Sequence, residues 1–439
     1  SNFAPVDELK EALLITDIEG KIPDSFPEGV YVRNGFSFQL EGEGMLHALH
    51  FKKDGDGSSN VVYNRRYVET ETLKIETQRN KPSFLPATEG DSLATLSAYV
   101  LNLKAAGTEE LVIVGIDAVK PFVKLGVISA DGKKLVHKVD LKLDRCCLCH
   151  KIGVTQRYNV IPDVPLTIDL KRLLRGGPIG IMPRYGDSDS IKWFEVETGC
   201  TYHIFNCFED GDEVVMWACR ALDSIIPGPE NGLNKFEWFS RRFKHINSIE
   251  GDINSSTEDG LLFDCCYEWR LNMQTGEVRK RNLTGTEFAI DFPMINETFT
   301  GLKNRYGYAH VVDSTASATS GIVKNRGLAK LHFEETDTRF YLRKKDSEEQ
   351  IKVEYHTFEE NTFCAGATFV PKGGFEEDDG WVITFVHNEG TNVSEAYIID
   401  AKKFSSEPVA KITLPRRVPY GFHGAFMPTS CELNDIMTL

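Results

Sequence analysis

The apolar positions of this chain fall mostly in short runs separated by turn residues, and few of them repeat with helical spacing. Leu111-Val-Ile-Val-Gly, Phe122-Val-Lys-Leu-Gly-Val-Ile and Leu135-Val-His-Lys-Val-Asp-Leu read as strands, with Asp131-Gly132 as a hairpin turn between the last two. Glu213-Val-Val-Met-Trp-Ala, Tyr267-Glu-Trp-Arg-Leu-Asn, Arg339-Phe-Tyr-Leu-Arg, Trp381-Val-Ile-Thr-Phe-Val and Ala396-Tyr-Ile-Ile-Asp continue the series. Asp210-Gly211, Thr275-Gly276 and Asp379-Gly380 mark further turns. Short antiparallel strands at even spacing over such a length predict an all-β fold of the propeller type. One stretch departs from this. Between Asp91 and Ala106, Leu93, Leu96, Val100 and Leu103 recur at steps of three and four, which predicts an amphipathic helix. The segment Phe236-Glu-Trp-Phe-Ser-Arg-Arg-Phe-Lys-His is aromatic and basic. It reads as a helix packed on the body with a solvated charged face, the alternative being a lip that touches lipid or a hydrophobic substrate. No Gly/Ser-rich or low-complexity tract divides the chain, so residues 1–439 are expected to form one domain, with helical insertions at about 84–106 and 232–246.

Composition narrows the function. The chain has 439 residues, 41% of them hydrophobic, enough for a sizeable core. Its formal net charge of −15 argues against nucleic acid as a main partner, since phosphate binding needs a basic face. No run of 18 uncharged apolar residues exists, so no transmembrane helix is expected. Ten cysteines are too sparse for a disulfide scaffold, and the adjacent pairs Cys146-Cys147 and Cys265-Cys266 read as reduced core residues.

The candidate chemistry lies in three histidine stretches: Cys147-Leu-Cys-His150, Cys200-Thr-Tyr-His-Ile-Phe-Asn-Cys-Phe-Glu209, and Pro419-Tyr-Gly-Phe-His-Gly424. Each sets one imidazole in an apolar or aromatic run. They are too far apart in sequence for one helix to unite them, but a closed ring of strands could bring His150, His203 and His423 to its axis. Imidazole is the common ligand of a borderline metal such as iron, so a shared iron is the expectation. Any one of these histidines taken alone is more often a hydrogen-bonded core residue. Asn206 and Glu209 support a role for His203, and Gly421 and Gly424 allow close backbone approach beside His423. Cys146, Cys149 and His150 also match the C-x-x-C-H pattern of haem attachment, but in a strand-rich context the cysteines read as packing. His47 reads as structural or as a neighbour of the site, and His387 as a strand-end hydrogen-bonding residue.

Nearly the whole chain resembles the carotenoid cleavage dioxygenases, most closely their plant 9,10-cleaving-like branch. The resemblance is carried by Ile22-Pro-Asp-Ser-Phe-Pro-Glu-Gly-Val-Tyr-Val-Arg-Asn-Gly, Glu43-Gly-Met-Leu-His-Ala, His203-Ile-Phe-Asn-Cys-Phe-Glu, Asp291-Phe-Pro-Met-Ile-Asn, Phe385-Val-His-Asn-Glu and Arg417-Val-Pro-Tyr-Gly-Phe-His-Gly. Asn234-Lys-Phe-Glu-Trp-Phe-Ser and Asn282-Leu-Thr-Gly-Thr-Glu-Phe resemble the zaxinone synthase subgroup. The resemblance implies a seven-bladed β-propeller with a helical cap over one face, and Fe(2+) held on its axis by histidines. It places His150, His203 and His423 at three of the four ligand positions, with no catalytic residue beyond the metal ligands. It implies a lipophilic carotenoid or apocarotenoid substrate, O2 as co-substrate, and a tunnel mouth that touches membrane peripherally. Leu96, Val100, Leu103, Trp238 and Phe239 are the candidates for that mouth. Plastid localisation follows from the same resemblance, the cytoplasm being the alternative. The reaction implied is cleavage of a 3-hydroxy-apo-10′-carotenal at C13–C14 to give zaxinone. A general 9,10-type cleavage and a non-catalytic apocarotenoid-binding propeller without iron are the competing readings.

The chain also departs from the family pattern. The first histidine motif has no counterpart, because Ala105-Ala106 runs directly into Gly107-Thr-Glu-Glu-Leu. Family members orient their ligands with glutamates. Here Asp291 stands at one such position and Gly366 at another. Weaker support of a ligand typically costs 10- to 100-fold in affinity or activity.

Overall fold

The computed structural model describes residues 2–4, 6–35, 44–55, 57, 59–69, 74, 78, 99–105, 107–116, 120–143, 150–163, 178–197, 199–222, 240–244, 260–336, 350–374 and 376–429. These residues are predominantly strand, as the short apolar runs predict. The chain packs as two compact units. The first comprises residues 1–90, 325–328 and 354–439, and the second residues 91–324 and 329–353.

The first unit holds an antiparallel sheet in the order Leu13–Ile15, Ser59–Tyr67, Met45–Lys53, Gly29–Gly35, Gly421–Pro428. The strand near the chain's end thus pairs with one near its beginning. A second run of strands follows the order Thr362–Pro371, Gly380–Asn388, Val393–Asp400, Ala410–Thr413, Ile18–Gly20. Alternate residues of Gly29–Gly35 and Met45–Lys53 are buried, as a pleated strand with one face on a core requires. That core includes Tyr31, Leu49, Phe51, Tyr63, Ile383, Phe385 and Ile398.

The second unit is built from sequential meanders. Tyr99–Lys104, Leu111–Ile116, Val123–Ile128 and Leu135–Leu141 form one, and Gly153–Val154, Tyr158–Pro162, Pro178–Pro183 and Lys192–Glu195 the next. Ile204–Asp210, Glu213–Arg220, Cys265–Asn272 and Val278–Asn282 form the third. Ala289–Met294 and Tyr306–Val312 begin another. In the third meander Glu213–Arg220 is buried along nearly its whole length, whereas Val278–Asn282 is the partly exposed edge. The edge carries Arg279 and Arg281, paired with Glu213 at 2.6 Å and Glu268 at 3.8 Å, and charged edges of this kind resist strand addition. The turns expected at Asp131-Gly132, Asp210-Gly211 and Thr275-Gly276 are formed with their glycines at positive φ, whereas Gly380 already opens the strand Gly380–Asn388. No sheet closes on itself among the described residues.

One sequence expectation is corrected. The helix predicted from Asp91 to Ala106 is not formed in its second half, where Tyr99–Lys104 is a strand in antiparallel register with Leu111–Ile116. Steps of three and four did mark apolar positions. However, Tyr-Val-Leu-Asn-Leu-Lys is also a good strand sequence, and an adjacent β-branched strand to pair with decides between the two. Residues 84–98 and 232–239 lie outside the described residues, while Ser240–Arg242 form a helical turn. Among the described residues no helix is long and apolar enough to cross a membrane.

Candidate metal centre

His203 sits just before the strand Ile204–Asp210. Its carbonyl accepts the Cys219 amide at 2.9 Å, and a Cys200–Ala221 bridge closes the segment behind it. The pairing with Glu213–Arg220 is interrupted by an irregularity between Ile204 and Asn206. The residue is 5% exposed. Its Nδ1 donates to Asp291 Oδ1 at 2.6 Å. Asp291 lies on Ala289–Met294, where the ladder is irregular between Asp291 and Met294 and Phe292 takes a positive φ of 52°. Burial acts to raise the pKa of Asp291, but the charge and hydrogen bond of His203, helped by the Phe292 amide, outweigh it and hold the carboxyl below its ordinary value. Asp291 therefore stays a carboxylate. Because it accepts the Nδ1 hydrogen bond, it leaves the lone pair of His203 on Nε2, the arrangement a metal ligand needs.

His150 stands edge-on to His203, with ring centroids 5.0 Å apart and planes at 83°. The residue is exposed at its edge, but crowding of the ring by surrounding atoms and the neighbouring His203 pull it down to about 4, which favours the neutral ring at physiological pH. Two adjacent imidazoles, one of them with its tautomer fixed by a carboxylate, are a donor set suited to a borderline divalent ion.

The segment after His150 is fastened to the His203 strand at every second residue. Lys151 Nζ donates to the Ile204 carbonyl at 2.7 Å. Gly153 lies against Cys207 so closely that a Cβ there would overlap the sulfur. Thr155 Oγ1 donates to Glu209 Oε1 at 2.7 Å, and the Arg157 amide adds a bond to the same oxygen at 2.9 Å. Asn206 pins the other side, donating to the carbonyls of Phe299 and Leu302 and to Asn304 Oδ1 while accepting the Gly301 amide. Asn206 and Glu209 thus support His203 as braces of its strand.

His423 lies in the first unit, on Gly421–Pro428. Its amide donates to Asn34 Oδ1 at 3.2 Å. The flanking glycines are needed: a Cβ at Gly421 would overlap the Asn34 carbonyl, and one at Gly424 the Gly366 carbonyl. Gly366 itself has φ +74°, and a Cβ there would run into the Arg33 side chain. Fully buried Arg33 fills that space, donates to the Pro419 carbonyl at 2.6 Å and lies over Phe385. A glutamate at 366 is excluded by this packing.

Among the other residues singled out from sequence, His47 is buried, with Nδ1 2.8 Å from Tyr63 Oη, and His387 Nδ1 is 2.8 Å from Ser394 Oγ. Val100 and Leu103 are on the strand Tyr99–Lys104, while Leu96, Trp238, Phe239, Cys146 and Cys149 lie outside the described residues. Sequence reasoning missed His310. It is 1% exposed, sits directly across the ladder from Asp291, and packs its ring on Phe292. Its signal was the alternation in Tyr306-Gly-Tyr-Ala-His, but an interior histidine on a strand is ordinarily structural.

Comparison with known proteins defines the class. The family model described as "Retinal pigment epithelial membrane protein" matches residues 3–106 and 103–428. The chain belongs to this family, that of the carotenoid cleavage dioxygenases, and is an oxygenase. It is 32% identical to the carotenoid 9,10(9′,10′)-cleavage dioxygenase of Crocus sativus over 97% of this chain and 88% of that protein. It is 26% identical to a chloroplastic 9-cis-epoxycarotenoid dioxygenase of Oryza sativa subsp. japonica, over 99% of this chain and 76% of the relative. The crystal structure of cobalt-substituted Synechocystis apocarotenoid oxygenase superposes with a TM-score of 0.72 at 18% identity, covering 98% of each chain, which establishes likeness of fold.

Proposed function

We propose that the chain is an iron(II)-dependent dioxygenase that cleaves one C=C bond of a carotenoid or apocarotenoid, with His150, His203 and His423 as its metal ligands. The observation that carries this is the imidazole pair, 5.0 Å between centroids, with the His203 tautomer fixed by Asp291. His423 joins them on its motif, Pro-Tyr-Gly-Phe-His-Gly. Iron(II), when bound, supplies the positions at which dioxygen is activated for addition across an alkene. Asp291 holds the Nδ1 proton of His203 and keeps that ring ready to bind. The protein needs no acid or base for the double bond itself. Its remaining task is to place one bond of a polyene in a dry apolar tunnel.

The finer substrate reading is a 3-hydroxy-apo-10′-carotenal cut at C13–C14 to give zaxinone, which rests on the segments at Asn234 and Asn282. A 9,10-type cleavage is the second reading, favoured by the activity named for the saffron relative. The successive four-stranded meanders support reading the sheets as blades of a seven-bladed propeller with a helical cap. A lipophilic substrate supports peripheral membrane contact through Leu96, Val100, Leu103, Trp238 and Phe239. The chloroplastic relative supports a plastid location.

The test is anaerobic reconstitution with Fe(II), then incubation with a hydroxylated apocarotenal or a C40 carotenoid under 18O2. Two carbonyl products are expected, and their chain lengths identify the bond cut. Protein that takes up no iron under anaerobic reconstitution would leave only the non-catalytic binding reading.

A further inference from the structure

We infer that Lys151 is a positioning residue whose ammonium group, seated on the Ile204 carbonyl, sets the spacing of the His150 and His203 imidazoles. This rests on the metal-site reading above. Lys151 directly follows His150 and Ile204 directly follows His203, so the 2.7 Å bond joins the two histidine-bearing backbones at the residues next to the rings. It lies where the Ile204–Asp210 ladder is irregular, between Ile204 and Asn206. Ile204–Asp210 is also the outer strand of its sheet, and a carbonyl on an outer edge can be claimed by a side-chain donor. The bond is also the first of three contacts made by every second residue after His150. Lys151 meets Ile204, Gly153 meets Cys207 without room for a methyl group, and Thr155 meets Glu209 at 2.7 Å. The two later contacts fix direction and separation farther along the strands. Lys151 alone acts beside the imidazoles, where an error of a fraction of an ångström changes metal geometry. A long stem with a rotatable three-donor head suits a carbonyl approached from a neighbouring segment.

The experiment uses Co(II), added to the metal-free full chain and followed by ligand-field absorption and titration. Lys151→Met keeps the stem and removes the donor, and should weaken Co(II) binding roughly 10- to 100-fold with altered band positions, while the melting temperature changes little. Lys151→Arg, which retains a donor, should recover most of the loss. Independently, Gly153→Ala should weaken binding by crowding Cys207, and Cys207→Ala in that background should relieve it. Lys151→Met titrating with the affinity and spectrum of the unaltered protein, or Lys151→Arg as poor as Met, overturns the role of Lys151; a Gly153→Ala variant that binds normally overturns the part given to the Gly153–Cys207 contact. Unaltered protein that binds no Co(II) overturns the metal-site reading and this inference with it.

Discussion

His203 and His423 are held in opposite ways. His203 is buried, and a carboxylate 2.6 Å away fixes its tautomer. His423 sits on a strand whose path is fixed by backbone packing at Gly421 and Gly424 and by the Asn34 side chain on its own amide. At His203 the surroundings set the chemistry of the ring. At His423 they set the position of the backbone. The two histidines should therefore fail differently. Loss of a carboxylate should weaken metal binding without unfolding, whereas crowding of a glycine should disturb the fold and the metal site together.

The largest effect expected is from His423→Ala, which should abolish cleavage and iron retention, checked by metal analysis beside product formation. Gly424→Ala comes next. Its methyl group overlaps the Gly366 carbonyl, so the strand must shift at a cost of about 1–3 kcal/mol, read from urea denaturation of the metal-free protein, with iron affinity falling as well. Asp291→Ala should reduce iron affinity or turnover by roughly 10- to 100-fold while denaturation changes less than in Gly424→Ala. Equal behaviour of the last two variants would dissolve the contrast between the sites.

The smallest effect concerns acid. Burial pulls His310 from the ordinary histidine value of 6.5 down to about 4. Between those values the unfolded chain takes up a proton that the folded chain refuses. Stability is therefore unaffected above the upper value and falls as pH drops toward the lower. His310→Phe should flatten part of that slope in denaturant titrations of metal-free protein at stepped pH. An unchanged slope would show that His310 is not held neutral.

The strand character of the chain was legible because alternation, β-branched runs and Asp-Gly turns act locally. The same local signal misread Tyr99–Lys104, since a strand partner farther along the chain is invisible to a helical periodicity count. His203 and Asp291 were legible through their motifs. The need for Gly424 was legible as a demand for close approach, although the atom approached, the Gly366 carbonyl, was not. The places of Lys151 on the Ile204 carbonyl and of His310 across from Asp291 were not legible at all. Their significance lies in which backbone or carboxylate stands across from them, and no spacing in the sequence carries that.

The most direct test of the three-imidazole iron site is X-ray absorption at the iron edge of protein reconstituted anaerobically with Fe(II). The account predicts one iron per chain with a first shell containing three imidazole nitrogens, reduced by one or lost when His150, His203 or His423 is replaced singly by alanine. A chain that takes up no iron, or a spectrum unchanged by replacing any one of the three, would contradict it.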